Sequence, residues 1–567
     1  MARPKPLPHF VSWRFPTTAN GRPFFSGSIL AGRAVGHDLL VDGIFSAKTL
    51  IAAILAYYIA LASQLERPYW SVITCYIVAQ PLTGALMSKG VYRMMGTVIG
   101  AAVAIVMVPN LVDAPELLVL ALALWLGTCT YVAALDRTPR SYVSLLAGYS
   151  AIIVAIPTVN APETVFDVAI ARVQEIGIGI ACVSVVHALL FPKPVWHQVR
   201  DRLDRILEDA QVWSNEALAI PPRPEEVIWR DRRKLAADLH DLHLLSTHLP
   251  YDMTSPAIVP DMLREAEMQL GLLLPLASAV EDRIVALGEG GAQDLAGHGR
   301  LGALIEAVRV WIAKGAQQDP SALIARAHAL EPDLETPESW AGLVQLSLLD
   351  RLTGLIQAHA AARALRDRLL DQAPAYPGQV RKAASPPQGE LFPVSRRALH
   401  RDHRVAMRAA AATMLTVLIT CAIWIATAWT DAGSAVVTAA IICALFSHLD
   451  APLRAARHVF YGTIGAVLAA GLAAFLMIPH VTDFAGLCVM IAPFLLVMGW
   501  LFARPQRAPF GVGAVLIFPG LAGLDIAYES VFDTFVNQAG ALMTGSFLAC
   551  LVLSAVRATG AGTAALR

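Results

Sequence analysis

Long apolar runs separated by short polar connections make up most of this chain. Six runs precede residue 193 and six follow residue 408, and most are long enough to cross a bilayer as helices. Between the two groups, apolar residues recur at helical spacing among charged ones, as in RLDRILEDAQVWSNEAL, which is typical of soluble amphipathic helices. The pattern predicts an all-α polytopic membrane protein of twelve transmembrane helices with an intervening helical cytoplasmic domain. The runs lie at about 47–65, 69–86, 94–108, 116–134, 141–158, 164–191, 409–429, 433–446, 459–478, 484–502, 510–524 and 531–556.

Changes in composition set the domain boundaries. The middle stretch is rich in Ala, Leu, Arg and Asp and has the size of an ordinary domain, and the Pro-rich segment after it is typical of a linker. The predicted divisions are a cytoplasmic N-terminal segment (1–46), a first six-helix membrane repeat (47–192), a helical cytoplasmic domain (193–375), a linker (376–407), a second six-helix repeat (408–556) and a cytoplasmic tail (557–567).

The charges are segregated along the chain. Only 16% of residues are charged, the formal net charge is zero and the mean hydropathy is +0.55. Of the 44 acidic residues, 29 fall between residues 193 and 402. Basic residues occupy alternate connections between the apolar runs, and the positive-inside rule therefore places both termini and the middle domain in the cytoplasm. The seven cysteines all lie in apolar segments without a CxxC pair, which predicts no disulfide framework.

The two groups of apolar runs have matching residues at a constant offset. The sequence VFD opens the sixth run at Val165 and the twelfth at Val531, 366 residues later, and Gly179 matches Gly545 at the same offset. Six helices per half, both starting from the cytoplasm, predict a parallel repeat, in which a site between the halves near the midplane is expected.

The sixth run contains two opposite charges, Arg172 and Glu175. Three residues apart on a helix, they share one face and can pair. Helical rise puts Glu175 roughly 15 Å along the helix, near the middle of a hydrocarbon core about 30 Å thick. The pair is interpreted as a substrate or proton site, and a structural ion pair remains the alternative. The matching positions of the second half hold Gln538 and Ala541, so the halves differ chemically.

Other candidates lie along the same path. Tyr149, in the middle of a helix, is a candidate for stacking on an aromatic substrate. Asp167 and Asp533, at the outer helix ends, are candidates for proton coupling, although acids there commonly face water. Arg93 and Arg140, on the cytoplasmic side, are candidates for drawing in anions, with topology signals and lipid phosphate contacts as the alternative.

Several function classes lack their sequence signatures. There is no GxxxxGK[ST] phosphate loop for ATP, no nucleophile triad or paired-carboxylate arrangement in the soluble part, and no basic stripe for nucleic acid. His240, His243 and His248 are too loosely spaced for one helix face, so no metal is predicted. The sequence therefore predicts neither an enzyme nor a cofactor.

Several motifs resemble those of the fusaric acid resistance and aromatic acid exporter family. They are Pro68–Thr74 (PYWSVIT), Lys89-Gly90 with Arg93 before Gly96-Thr97, Pro139–Tyr142, Ala147–Ser150, and Arg172-x-x-Glu175-Ile176-x-Ile178-Gly179. The resemblance covers both membrane halves and the middle domain, and is strong in the first half and thin in the second. It implies proton-driven efflux (proton antiport) of aromatic carboxylic acids such as hydroxybenzoates across a bacterial inner membrane, with a periplasmic membrane-fusion protein as partner.

Such an exporter needs a cation for the carboxylate and a titratable group for the proton. Arg172 and Gln538 are the predicted substrate contacts beside Tyr149, and Glu175 the proton site. Protonation of Glu175 would free Arg172 for the anion, and deprotonation would restore the pair. A passive organic-anion channel and a membrane scaffold or sensor stay open as alternatives, as does a homo-oligomer.

Overall fold

The computed structural model describes residues 27–136, 138–219, 225–252, 259–289, 299–315, 319–332, 340–371, 402–447, 449, 452–526 and 531–565. Every regular element in these ranges is a helix, which confirms the predicted all-α class. Arg137 and most of the predicted linker (376–401) lie outside the described residues.

Helices of the first membrane half follow the apolar runs closely. They are α1 (Gly27–Ala62), α2 (Tyr69–Val78), α3 (Thr83–Leu111), α4 (Pro115–Leu135), α5 (Ser141–Thr158) and α6 (Val165–Leu189). Helix α1 begins well before the apolar run at 47–65, and its membrane-length apolar part is Leu39–Ala62.

The second membrane half repeats this order. Its helices are α13 (His403–Thr427), α14 (Ala432–Phe446), α15 (Pro452–Leu472), α16 (Phe484–Phe502), α17 (Ala508–Leu521) and α18 (Phe532–Ala565). Helix α15 continues through a π-helical turn at Ala473–Met477. Among the described residues, nine helices are long and apolar enough to cross a membrane, whereas α2, α14 and α17 are apolar but shorter.

One connection differs from the sequence-based expectation. The apolar run at 69–86 does not form one helix, because α2 ends at Val78 and α3 begins at Thr83. Pro81 explains the break, since it lacks an N–H and disfavours helical geometry in the residue before it. Lys89 and Arg93 fall between the runs at 69–86 and 94–108, where a connection would be expected, but both lie inside the continuous helix α3.

The middle part folds as a helical domain with its own core. Its helices are α7 (Val195–Ala217), α8 (Glu225–Ser246), α9 (Val259–Glu289), α10 (Arg300–Ala313), α11 (Ser321–His328) and α12 (Trp340–Asp371). The longest two, α9 and α12, pack along each other, and buried Leu and Ile side chains from α7, α9, α10 and α12 fill the interior.

This domain contacts the first turns of α3. The Oγ of Ser88 lies 2.8 Å from Nδ1 of His248, and the hydroxyl of Tyr251 donates to that of Tyr92 at 3.1 Å. A Cβ added at Gly84 would lie 2.9 Å from the carbonyl oxygen of His248, so only glycine fits there. The N-terminal end of α3 is therefore fixed against the domain.

The two membrane halves pack on each other mainly through four helix pairs. Helix α1 contacts α16, α4 contacts α13, α2 contacts α17, and α5 contacts α14. Polar contacts join the first two pairs: Asp42 accepts from Arg504 at 2.9 Å, and the Tyr131 hydroxyl lies 2.8 Å from Nδ1 of His403. The short helices α2 and α14 thus lie between the halves.

Candidate functional site

A cavity of about 410 Å³ lies between the two halves. Its wall comes from α2, α5 and α6 of the first half and from α13, α14, α17 and α18 of the second. The polar and aromatic side chains on its wall are those of Arg67, Tyr69, Trp70, Asn160, Arg172, Trp424, Thr430, Asp431, Ser434, Thr438, Asp525 and Gln538. A pocket of this size and mixed lining suits a small organic molecule.

The cavity opens towards one side of the protein. Asn160 follows α5, Thr430 joins α13 to α14, and both are exposed; Arg67 precedes α2 and Asp525 follows α17. These four connections are among those predicted to lie outside the cytoplasm. Burial raises the pKa of Asp525, whereas the nearby Arg67 lowers it.

Arg172 and Glu175 form the ion pair that their spacing predicts. Nη1 of Arg172 lies 3.1 Å from Oε2 of Glu175, and the side chains are 3% and 2% exposed. The other carboxylate oxygen, Oε1, accepts a hydrogen bond from the backbone N–H of Arg67 at 3.0 Å. Since Glu175 lies roughly 15 Å along α6 from Val165, the connection before α2 reaches deep into the protein. Non-helical backbone is tolerated at such depth where it lines a cavity.

The guanidinium of Arg172 stacks on an aromatic ring and keeps donors free. Its Cζ lies 4.1 Å from the ring centroid of Trp70, a cation–π geometry. Nε of Arg172 and Nε1 of Trp70 are both buried without a hydrogen-bond partner. A buried donor without a partner costs about 1–3 kcal/mol, so a ligand acceptor at this point would be favoured.

Two helix N-termini point at the same cavity. Helix α2 begins at Tyr69, and α14 begins at Ala432 after Asp431; residues of both first turns line the wall. The N-terminal end of a helix carries a partial positive charge and free N–H groups, which favour anions. The cavity therefore contains both positive and negative groups. The positive ones are Arg67, Arg172 and the two helix N-termini, and the negative ones are Asp431 and Asp525.

The structure brings together some of the predicted site residues and separates others. Arg172 and Gln538, at matching positions of the halves, both line the cavity, and Glu175 lies behind Arg172. Tyr149 is not on the cavity wall: it is 5% exposed and lies beside Arg93. Its role as a substrate contact within this cavity has no geometric support.

The remaining predicted residues lie away from the cavity. Asp167 and Asp533 are exposed in the first turns of α6 and α18, so their part in proton coupling stays a prediction. Arg140 is exposed at the start of α5. Arg93 is 2% exposed within α3, and its Nη1 donates to the Tyr142 hydroxyl at 3.1 Å.

Sequence reasoning missed several cavity residues. Tyr69 and Trp70 match an interfacial aromatic belt by position, but they lie on the cavity wall because α2 is short and its N-terminus is recessed. Arg67 did carry a signal, because it is the one clear exception to the charge alternation of the connections. Trp424, Asp431 and Asp525 gave no comparable signal.

A second pocket adjoins the cavity on the same side. It shares Gly520, Leu521, Asp525 and Gln538 with the cavity and extends past Glu66 to the start of α18. Ligand leaving the cavity on this side would pass Asp525 and Gln538.

These features define the class of protein: a multi-pass membrane transporter with a buried cation at a cavity between two helical halves. The chain belongs to the Fusaric acid resistance protein family, whose model matches residues 42–567. Similar proteins include the p-hydroxybenzoic acid efflux pump subunit AaeB of Enterobacter cloacae subsp. cloacae, which is 26% identical over 557 residues, 90% of this chain and 75% of the relative. The proteins of the same name from Salmonella paratyphi B and Salmonella newport are 26% identical over 555 residues, with the same shares covered.

Proposed function

We propose that this protein is an inner-membrane efflux transporter that exports aromatic carboxylic acids through the cavity between its halves. The observation that carries the proposal is Arg172, a buried guanidinium at the cavity wall with an unpartnered Nε. The similar proteins are named as efflux pump subunits for p-hydroxybenzoic acid, which supports a hydroxybenzoate as the substrate class.

Each part of such a substrate meets a suitable group. The guanidinium of Arg172 can hold a carboxylate through two parallel hydrogen bonds. The aromatic ring can pack against Trp70, Trp424 or Tyr69. Gln538 lies across the cavity at the position matching Arg172. Its side-chain amide can donate a hydrogen bond to a phenolic hydroxyl or accept one from it.

We assign the proton site to Glu175. Its carboxylate and that of the substrate compete for one guanidinium, so protonation of Glu175 releases Arg172 to the substrate and deprotonation restores the pair. If the Arg172–Glu175 pair alone couples transport, the proton and the substrate anion bind to the same state of the protein and therefore move together. Proton antiport, which the resemblance implies, needs a further acid that holds its proton when the substrate is absent, and Asp525 and Asp431 on the cavity wall suit that role.

The membrane architecture is proposed as twelve spans in two parallel six-helix repeats. Helix pairs in the two halves support it: α3 packs on α5 as α15 packs on α17, and α2 packs on α6 as α14 packs on α18. Gly179 and Gly545, at matching positions, face the backbones of α2 and α14 at Ser71 and Ala435. The pairs between halves, α1 with α16 and α4 with α13, also correspond.

Both termini and the helical domain are proposed to lie in the cytoplasm. Basic connections at one end of the bundle, including Arg504 and Arg507, support this orientation under the positive-inside rule. We also propose a periplasmic membrane-fusion protein as partner, which the word "subunit" in the relatives' names supports.

The test is uptake of labelled 4-hydroxybenzoate into inverted membrane vesicles, with the lumen made acidic or alkaline. Wild type is expected to accumulate the acid in a gradient-dependent way. Glu175→Gln should keep exchange of internal for external substrate but lose gradient-driven accumulation, since Arg172 without its carboxylate holds the anion and cannot return empty. Glu163→Gln, an exposed acid just before α6, is the matched control.

The sign of the gradient separates the mechanisms. An acidic lumen that drives uptake indicates antiport, and Asp525→Asn should then reduce it. Uptake driven by an alkaline lumen, beyond that of protein-free vesicles in which the neutral acid diffuses across the bilayer, indicates that proton and anion move together through the Arg172–Glu175 pair. Uptake that follows only the membrane potential would indicate a passive anion channel and contradict proton coupling, and full gradient-driven uptake in Glu175→Gln would exclude Glu175 as the proton site.

A further inference from the structure

Two cations on α3, the half-buried Lys89 and the buried Arg93, have no acidic partner in the described part of the chain. Lys89 and Arg93 are four residues apart and share a helix face. Arg93 is 2% exposed, and its buried Nε has no hydrogen-bond partner. Among the described residues, no carboxylate lies within ion-pair distance of either cation. A buried charge that lacks a counter-charge is costly, so this arrangement favours an anion.

Hydroxyl groups of α5 complete the cluster. Nη1 of Arg93 donates to the Tyr142 hydroxyl at 3.1 Å, and Nζ of Lys89 lies 5.8 Å from the centroid of the Tyr142 ring. Tyr149 lies beside the same guanidinium and is 5% exposed. The cluster therefore offers an ammonium, a guanidinium and two phenolic hydroxyls, groups that bind a carboxylate together.

The second half provides an internal comparison. At an offset of 366 residues, Lys89 and Arg93 correspond to Ala455 and Val459, and at 367, Tyr149 corresponds to Leu516. Helices α15 and α17 nevertheless pack closely, as α3 and α5 do. Apolar residues thus suffice for this helix pairing, and packing alone does not require the cations.

The cluster lies on a line that leads to the cavity. Tyr142, Tyr149, Ile153 and Ile156 follow one another at helical spacing on one face of α5, and the last two line the cavity. The helical rise from Tyr142 to Ile153 is about 16 Å. The start of α5 is at its cytoplasmic end in the proposed orientation, so the cluster lies between the cytoplasm and the cavity.

We propose that Lys89, Arg93, Tyr142 and Tyr149 form a second anion site, on the cytoplasmic side, which takes the carboxylate of the aromatic acid before it reaches Arg172. This inference rests on the proposed function, which it deepens. A substrate carboxylate and a lipid phosphate are both oxygen anions. Burial of Arg93 by protein favours the substrate carboxylate.

The test measures half-saturation separately on the two membrane faces. Exchange of 4-hydroxybenzoate is assayed in inverted vesicles, where the acid meets the cytoplasmic face, and in right-side-out vesicles, where it meets the outer face. Arg93→Gln should raise the half-saturating concentration at the cytoplasmic face about tenfold, which corresponds to about 1.4 kcal/mol. The value at the outer face should not change. Arg93→Lys, which keeps the charge, should restore most of the cytoplasmic value.

Controls separate this site from general damage. Lys48→Gln removes a cation near the same membrane face whose Nζ donates to the Phe191 carbonyl, and it should change neither value. If Arg93→Gln does not fold, Lys89→Gln serves in its place with the same expected asymmetry. Equal changes on both faces, or none, in a folded variant would overturn the second site.

Three further outcomes have distinct meanings. If the cluster held a lipid phosphate, wild-type exchange would depend on the phosphatidylglycerol content of reconstituted vesicles, and Arg93→Gln would remove that dependence; this result would overturn the proposal. Absence of 4-hydroxybenzoate exchange by wild type on both faces would overturn the proposed function itself. Loss of exchange in Arg172→Gln, with the asymmetry intact in Arg93→Gln, would support both.

Discussion

At the scale of residues, Arg172 is held between a carboxylate and an aromatic ring. Glu175 fixes Nη1, and Trp70 covers the face of the guanidinium. The ring keeps water from one side of the charge while leaving the edge donors available. Trp70 therefore contributes to the orientation of Arg172 as well as to the apolar wall.

Replacement of Trp70 should weaken substrate binding without abolishing transport. A cation–π contact contributes about 0.5–2 kcal/mol, so Trp70→Leu is expected to raise the KM for 4-hydroxybenzoate about 2- to 30-fold, with Trp70→Phe in between. Trp125→Phe, which removes an indole bonded to the Ala147 carbonyl away from the cavity, is the control. An unchanged KM in Trp70→Leu would argue against the stacked arrangement.

The predicted pairing of Arg172 with Glu175 has a local cause. Arg172 and Glu175 meet because three residues separate them on one helix, so their pairing needs no tertiary information. Arg67 and Asp525 reach the same cavity through separate connections, and nothing in their own segments encodes that. Trp70 looked like an interface residue because the recessed start of α2 depends on how the α1–α2 connection packs.

At the scale of elements, close helix contacts depend on glycine. A Cβ at Gly462 of α15 would collide with the Phe510 carbonyl of α17, whereas a Cβ at Gly465 would meet nothing within 4 Å. The apolar runs predicted these helices well. They could not reveal the continuity of α3, because Lys89 and Arg93 resemble the charges of a connection until their burial is known.

The two glycines provide a matched test of helix packing. Gly462→Ala should lower the thermal unfolding midpoint of the detergent-solubilised protein, because α15 and α17 must separate to admit the methyl group. Gly465→Ala should leave it unchanged or raise it, since alanine stabilises a helix by roughly 0.5–1 kcal/mol relative to glycine. The same decrease in both variants would contradict the close α15–α17 contact.

The helical domain should lose stability in mild acid through His359. Its Nε2 lies 2.9 Å from the Ser214 Oγ of α7, and burial lowers its pKa to about 3, with Arg363 acting in the same direction. The unfolded chain binds a proton near pH 6.5 and the folded domain does not, so stability falls as pH drops below 6.5.

The expected loss is about 2–3 kcal/mol between pH 6.5 and 4.5. Thermal unfolding of the full-length protein across this range measures it, and His359→Gln should flatten the profile. His328→Gln, at a largely exposed position, should leave the profile as in wild type. A wild-type profile without this decrease would contradict a neutral buried His359.

At the scale of the whole molecule, the cavity opens on one side of the helix bundle. Its rim is formed by connections from both halves, while the opposite end of α3 is bound to the helical domain. Access to Arg172 in this conformation is therefore from the side opposite the helical domain.

Cysteine labelling tests that access. Ser434→Cys, on the cavity wall, should react with a membrane-impermeant maleimide in right-side-out vesicles, and 4-hydroxybenzoate should slow the reaction. Ser150→Cys, 3% exposed in α5 and off the cavity wall, should not react. The unsubstituted protein gives the background from the partly exposed Cys488 and Cys550. If Ser434→Cys reacted only in inverted vesicles, the membrane orientation would be the opposite of the one proposed.

In the proposed mechanism, the pairing of Arg172 with Glu175 would also set a threshold for activity. A carboxylate attached to the same helix competes with free anions at an effective concentration of millimolar or more. When carboxylates are scarce in the cytoplasm, the pair stays intact and the protein transports little. An aromatic acid is carried only when it is concentrated enough to displace the Glu175 carboxylate from Arg172. The protein would then export little until its substrate has accumulated.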